Sequence, residues 1–194
     1  MRALFLAAES TGMWKFKDEP HADTQPHLVR AAYIADDGQG NRAEAMCRLV
    51  WPEPHWQFEP GAVTSHAIDR KVAADDGFPL KTVLADVGAE IRRADTLVLY
   101  SAPFWLKMLE RAFVEAGEPW QEPPVFDAMA EARDIVKAPR MSPGGGYNLP
   151  RFEAAYTHFI GQPLTLNVDA IEAGRRKVRA LAAIYDGIRR VRGW

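Results

Sequence analysis

The first third of the chain contains three apolar runs that predict β-strands. Leu4–Ala8 is a short apolar run that leads into an acidic residue. Leu28–Ala35 and Ala43–Trp51 follow as two further runs, and the segment Asp36–Asn41 between them is rich in Asp, Gly and Asn. These spacer residues tolerate turn conformations, so the two runs predict a β-hairpin.

The middle of the chain alternates between helical and strand patterns. Leu80–Arg92 carries apolar residues at helical spacing, which predicts an amphipathic helix with one face on a sheet. Thr96–Tyr100 predicts a strand that is buried on both faces. Pro103–Ala116 predicts a second helix, and Gly117 ends it. Val125–Met129 predicts a last short strand.

The remaining segments complete a mixed architecture. Pro52–Pro60 predicts a loop, as does Ala138–Tyr147, which holds three consecutive glycines and is expected to be mobile. Two helices are predicted at the end, over Leu149–Ile160 and Val168–Arg190. Three antiparallel-type strands followed by alternating helices and strands predict one α/β domain over residues 1–194, with a mixed sheet flanked by helices.

The charge distribution is uneven. The chain has a formal net charge of -2, but residues 174–194 hold seven basic residues against Asp186 alone. This basic C-terminal helix suits a phosphate backbone or an acidic partner, although a solvated helix face is the simpler explanation. Cys47 is the only cysteine, and the apolar run Ala3–Ala8 is too short to span a membrane. We therefore expect a cytoplasmic protein without disulfides.

The first strand carries the most informative motif. Glu9, Thr11 and Gly12 stand at the spacing Glu-x-Thr-Gly, with Ala7 two residues before the Glu. This stretch resembles the Asp-x-Glu-x-Thr-Gly strand of the DEDDh (DnaQ-like) 3′-to-5′ exonucleases, with Ala7 at the Asp position. The resemblance implies a ribonuclease H-like fold. In that family several carboxylates hold two divalent ions that cleave the phosphodiester bond.

The family's second motif region is present but altered. The segment from Leu97 to Glu110 resembles the strand, the His-Asn-x-x-Phe-Asp element and the helix of that family. Tyr100 and Ser101 then replace His-Asn, and Trp105 occupies the Asp position. An indole cannot ligate a divalent cation. Trp105 is either a plug in the former metal pocket, which is the favoured interpretation, or a platform for stacking a base.

The third motif region is altered in either of two alignments. Counting on from Tyr156–Gly161 without a gap places Val168 at the family's His and Ala173 at its last Asp. Anchoring on the helix that follows places Glu172 at the His and Lys177 at the Asp instead. Neither alignment restores the metal site.

Of the positions Ala7, Glu9, Trp105, Val168 and Ala173, Glu9 alone keeps its chemistry. We therefore expect a catalytically inactive exonuclease-like protein without a cofactor, which binds single-stranded nucleic acid or a protein partner. The alternative is an active Mg²⁺- or Mn²⁺-dependent exonuclease with an unconventional site of Glu9, Asp169 and Glu172, with Asp127 as a further candidate acid.

Further residues are candidates for contacting nucleic acid. His66 resembles the family's Ile-His-Gly-Ile element near the bound 3′ end, and an equally good interpretation is a histidine that orders its loop. The complete set of binding candidates is Ser10, Thr11, Gly12, Met13, His66, Ser101, Phe104, Arg175, Arg176 and Lys177.

Overall fold

The computed structural model describes residues 1–139 and 146–194, and these form a six-stranded sheet with helices on both faces. The strands are β1 (Ala3–Ser10), β2 (Leu28–Ala35), β3 (Met46–Val50), β4 (Gly77–Phe78), β5 (Thr96–Leu99) and β6 (Val125–Asp127). The helices are α1 (Pro60–His66), α2 (Arg70–Asp76), α3 (Leu80–Arg93), α4 (Ala102–Glu115), α5 (Ala128–Val136), α6 (Phe152–Ile160) and α7 (Ala170–Arg192).

The sheet has the strand order β4-β3-β2-β1-β5-β6. β1, β2 and β3 pair antiparallel, whereas β5 pairs parallel to β1, β6 parallel to β5 and β4 parallel to β3. The predicted mixed sheet, with three antiparallel-type strands followed by parallel ones and helices on its faces, is confirmed.

Alternation along β1 divides the core into two layers. Successive side chains of a strand point to opposite faces of the sheet. Leu4 and Leu6 pack on one face with α3 and α4, while Phe5 and Ala7 pack on the other with α5, α6 and α7. Glu9 therefore belongs to the face that carries α7, the long basic helix.

The predicted hairpin is confirmed, with β3 beginning at Met46 rather than at Ala43. Gly38 and Gly40 in its turn have φ angles of +79° and +96°, where a side chain would strain the backbone. An isolated bridge joins Asp36 to Arg42. The turn residues read from the sequence thus produce the expected reversal.

Four elements were not predicted. α1 and α2 are seven residues each and lack a repeating apolar stripe, so periodicity did not reveal them. β4 is two residues long, and α5 begins directly after β6, so the predicted strand over Val125–Met129 ends two residues early. The predicted mobile loop over Ala138–Tyr147 lies largely outside the described residues.

Within the described ranges no helix is long and apolar enough to cross a membrane.

Candidate functional site

Glu9 lies near the end of β1, and its carboxylate is paired with two cations. Arg30 Nη2 donates to Glu9 Oε1 at 3.2 Å, and Lys177 Nζ donates to the same oxygen at 2.5 Å. Burial by itself raises the pKa of the Glu9 carboxyl, but the charges of Lys177 and Arg30 outweigh it and hold the pKa below its ordinary value. The carboxylate is therefore ionised at neutral pH and neutralised from within the chain.

Sheet register explains how Arg30 reaches Glu9. The two residues are direct cross-strand partners in the antiparallel β1–β2 pair, so their side chains leave the same face. The Arg30 side chain is 3% exposed, and its Nη1 donates to the Ala170 carbonyl at 2.6 Å. Arg30 thus links β1, β2 and the start of α7.

Helix α7 approaches the sheet closely enough to deliver Lys177. Gly174 allows this contact, because a Cβ at that position would lie 2.5 Å from Cys47 Sγ and 3.0 Å from Arg30 Cδ. Lys177 lies one turn beyond Gly174 and shares its side of the helix. Its ammonium also lies 5.6 Å from the centre of the Phe152 ring.

A cleft of about 360 Å³ opens beside Glu9. It brings together five of the predicted binding residues with Glu9 and Trp105: Ser10, Gly12, Met13, His66 and Phe104. Met13 is 70% exposed at its rim. The Glu59 carboxylate lies directly over Gly12, where a Cβ would be 2.4 Å from Glu59 Cδ.

His66 holds its loop against β1. Its Nδ1 accepts a hydrogen bond from Ile68 N at 3.1 Å, so Nε2 carries the proton and donates to the Ser10 carbonyl at 3.1 Å. Burial lowers the pKa of His66 and outweighs the opposite effect of the nearby Glu9 carboxylate. The lowered pKa favours the neutral ring. The loop-ordering interpretation is therefore supported, and the ring edge also lines the cleft.

Trp105 lies between two cavities and is only partly buried. It lines the cleft beside Glu9 and also a smaller cavity of about 140 Å³ bounded by Ala7, Tyr100 and Lys177. Its ring meets that of Phe104 edge to face at 4.7 Å. The indole packs against the core from this position and lines both cavities, so its role as a plug or as a stacking platform stays a prediction.

Ser10 and two further predicted binding residues, Thr11 and Ser101, make hydrogen bonds that hold the backbone around the cleft. Thr11 is 1% exposed, and its hydroxyl accepts from the His27 amide at 3.0 Å. Ser10 donates its hydroxyl proton to the Gly12 carbonyl at 2.8 Å. Ser101 precedes α4 with a left-handed φ of 71°, and its amide donates to Asp127 Oδ1 at 3.1 Å.

The acidic residues of the alternative metal site are engaged elsewhere. Asp169 caps α7 by accepting from the amides of Ile171 and Glu172. Glu172 pairs with Arg176 at 3.1 Å and Arg179 at 3.8 Å.

Asp127 likewise caps α5 through the amides of Met129 and Ala130. In the part of the chain that the structure describes, Glu9, Asp169 and Glu172 do not form a group that could hold a metal ion. The structure therefore does not support their predicted convergence.

The residues of the third motif region lie at different places around α7. Val168 precedes α7, and Ala173 is a buried residue of its sheet-facing side. Lys177, which the second alignment places at the family's last Asp, is the residue that contacts Glu9. Arg176 is paired with Glu172, and Arg175 is half-buried beside it.

Sequence reasoning missed Arg30, the second cation at Glu9. A single charged residue inside the apolar run Leu28–Ala35 was the available indication, since a buried charge needs a partner. The partner could not be identified, because the cross-strand register was unknown.

Comparison with solved structures gives several matches to exonuclease I. A product-bound exonuclease I is 17% identical with a TM-score of 0.73, covering 97% of this chain and 43% of that chain. A zinc-bound E. coli ExoI–ssDNA complex is 19% identical with a TM-score of 0.73, covering 98% and 41%. An ExoI/SSB-Ct complex is 16% identical with a TM-score of 0.64, covering 95% and 41%.

These matches show that the chain has an exonuclease-like, ribonuclease H-like fold. The chain spans about two fifths of the length of the structures it matches. No family model matches the sequence, and no curated protein matches it.

Proposed function

We propose that this chain is an exonuclease-like domain that binds single-stranded nucleic acid in the cleft beside Glu9 and does not hydrolyse it. The observation that carries the proposal is the neutralisation of Glu9 by Arg30 and Lys177. The fold supports a nucleic-acid ligand, because one structure that shares it is an ExoI–ssDNA complex.

The ion pairs argue against two-metal hydrolysis. That reaction needs several carboxylates converging on two divalent ions about 4 Å apart. Here Glu9 and Glu59 line the cleft. The Lys177 ammonium contacts one Glu9 oxygen, and Glu59 accepts a hydrogen bond from the Met13 amide at 3.2 Å. A divalent ion would have to displace Lys177, and Mg²⁺ also requires further oxygen ligands in octahedral geometry. Ala7 and Trp105 provide none.

The cleft offers a different kind of contact. Phe104 and Trp105 present aromatic surface, and Met13 lies exposed at the rim. Bases stack on such side chains without sequence preference, each stacked base contributing about 1–3 kcal/mol. Lys177 lines the neighbouring cavity, and together with Arg30 it outweighs the charge of Glu9, which favours a phosphate there.

Fluorescence anisotropy with a labelled oligothymidylate tests binding. We expect binding at low salt that weakens with rising salt and does not change with EDTA. Phe104→Ala should weaken it by about 5- to 150-fold, the equivalent of one stacked base. The matched control is Phe78→Ala, which removes an exposed aromatic residue from the far edge of the sheet.

Two results would contradict the proposal. Absence of binding even at low ionic strength would exclude the nucleic-acid role and leave the protein-partner alternative, which the SSB-Ct complex of a structure with this fold makes reasonable. Shortening of the oligonucleotide with Mg²⁺ or Mn²⁺, abolished by Glu9→Gln, would instead establish an active exonuclease.

A further inference from the structure

A second cluster of functional side chains lies away from Glu9. It combines His27, which directly precedes β2, His55 from the loop after β3, and Glu115, the last residue of α4. Each residue offers one ligand atom, and these atoms all lie within 4.8 Å of one another. Among the described residues this is the group of histidine, cysteine and acidic side chains that could hold a metal ion.

The cluster is held in place by Trp56. The His27 ring stacks on the indole at 4.5 Å with an interplanar angle of 12°. Glu115 Oε1 accepts from Trp56 Nε1 at 3.2 Å, and its Oε2 lies 3.1 Å from His27 Nδ1. The side chain of His27 is 2% exposed. Two of the three donors are therefore fixed before any ligand arrives, which lowers the entropy lost on binding.

The two ring nitrogens of His27 have different surroundings. Nδ1 faces the Glu115 carboxylate, with Oε2 at 3.1 Å, so Nδ1 is the atom that can share an ion with Glu115. Nε2 is buried and makes no hydrogen bond within the described residues, so it is available to carry the ring proton when Nδ1 binds a metal.

The donor set selects the type of cation. Two imidazoles and one carboxylate suit Zn²⁺ and similar transition metals, whereas Mg²⁺ prefers oxygen ligands. Three protein ligands leave a fourth position open, as in zinc sites that bind water or a small ligand. His55 and Glu115 line a cavity of about 760 Å³, which gives that fourth position access from solvent.

We infer that His27, His55 and Glu115 form a transition-metal site, best matched by Zn²⁺, whose open position faces this cavity. The site shares no side chain with the cleft beside Glu9. It is thus independent of the proposed nucleic-acid binding.

Calorimetric titration of EDTA-treated, dialysed protein with ZnCl₂ tests the site. We expect one ion per chain and a higher unfolding temperature with Zn²⁺, and no such effect of MgCl₂. His55→Ala should weaken Zn²⁺ binding by at least about 10-fold, since even indirect partners of metal ligands are worth about 10–100-fold. His55 is exposed, so this variant should unfold at the wild-type urea concentration in EDTA.

The matched control is His158→Ala, which removes another exposed histidine, on α6. It should bind Zn²⁺ like the wild type. X-ray absorption should give nitrogen and oxygen neighbours at about 2.0–2.2 Å with an imidazole contribution. The inference is overturned by absence of binding, by wild-type affinity in His55→Ala, by an equal loss in His158→Ala, or by a spectrum with oxygen neighbours only.

Discussion

The ion pairs of Glu9 can be measured directly by replacing Glu9 with Gln. This change removes the negative charge that Arg30 and Lys177 share, while keeping the side-chain volume. Two unit charges 4 Å apart attract by about 4 kcal/mol at an effective dielectric constant of about 20, before desolvation is subtracted. Removing one partner of a buried pair ordinarily lowers the free energy of unfolding by about 3–5 kcal/mol.

We expect the lower end of that range, about 3 kcal/mol. Arg30 keeps its hydrogen bond to the Ala170 carbonyl, and Lys177, with a side chain 22% exposed, reaches water. Lys177→Gln should cost less, about 1–2 kcal/mol, because Glu9 keeps Arg30 and one charged hydrogen bond is lost. The double variant should then reveal a coupling energy of about 1–2 kcal/mol between positions 9 and 177.

The pH dependence of the unfolding free energy tests the Glu9 ion pairs independently. The pKa of Glu9 is lowered in the folded state by Lys177 and Arg30, which together outweigh burial. Its stabilisation is therefore fully present above the unfolded pKa and is lost as pH falls through the folded pKa. The difference in unfolding free energy between wild type and Glu9→Gln should be constant from pH 7 to about pH 5 and shrink below that.

Urea unfolding followed by tryptophan fluorescence, with EDTA present, provides the measurement. Glu110→Gln is the matched control, because it removes an exposed carboxylate from α4, and it should stay within about 0.5 kcal/mol of wild type. A Glu9→Gln variant as stable as wild type would refute the ion-pair reasoning. So would Mg²⁺ that stabilises the wild type but not Glu9→Gln, because Glu9 would then be a metal ligand.

Three further substitutions test local structure by the same unfolding assay. Ala67→Gly should stabilise the protein by about 0.5–1 kcal/mol, because Ala67 ends α1 with φ 57°, a left-handed conformation that strains alanine; lower stability would contradict this. Gly187→Ala should destabilise the protein by about 1 kcal/mol or more, although alanine has a better helix propensity than glycine. The reason is that the new Cβ would lie 2.5 Å from Phe159 Cδ1. Asp127→Ala should lower the free energy of unfolding by about 1–2 kcal/mol, because it removes the cap of α5. Asp127→Asn keeps an acceptor oxygen and should lower it less. Equal losses in the two variants would show that capping is not the cause.

The elements that could be predicted from sequence are those with a strong repeating pattern. The hairpin of β2 and β3, the helix α3 and the strand β5 each have apolar spacing that fits one structure only. α1 and α2 have no such pattern, because they are short, mostly exposed segments. Their positions depend on tertiary contacts, such as the hydrogen bond from His66 to the Ser10 carbonyl.

The site was predictable in part for a related reason. Glu9 and Phe104 could be placed near one cleft because their motifs keep the order and spacing of a known fold. The Glu9 partners could not be found, since Arg30 and Lys177 lie 21 and 168 positions away along the chain. The cluster of His27, His55 and Glu115 was missed likewise, because each residue comes from a different segment.

The charge balance around Glu9 supports a binding role. In the exonuclease family that the sequence resembles, several carboxylates are balanced by two divalent ions. Here Ala7 and Trp105 are neutral, and Glu9 is balanced by Arg30 and Lys177 from within the chain. This internal balance is the ground on which we propose binding rather than two-metal hydrolysis. Because Glu9 also ties β1 to β2 and α7, its presence has a structural reason that is independent of catalysis.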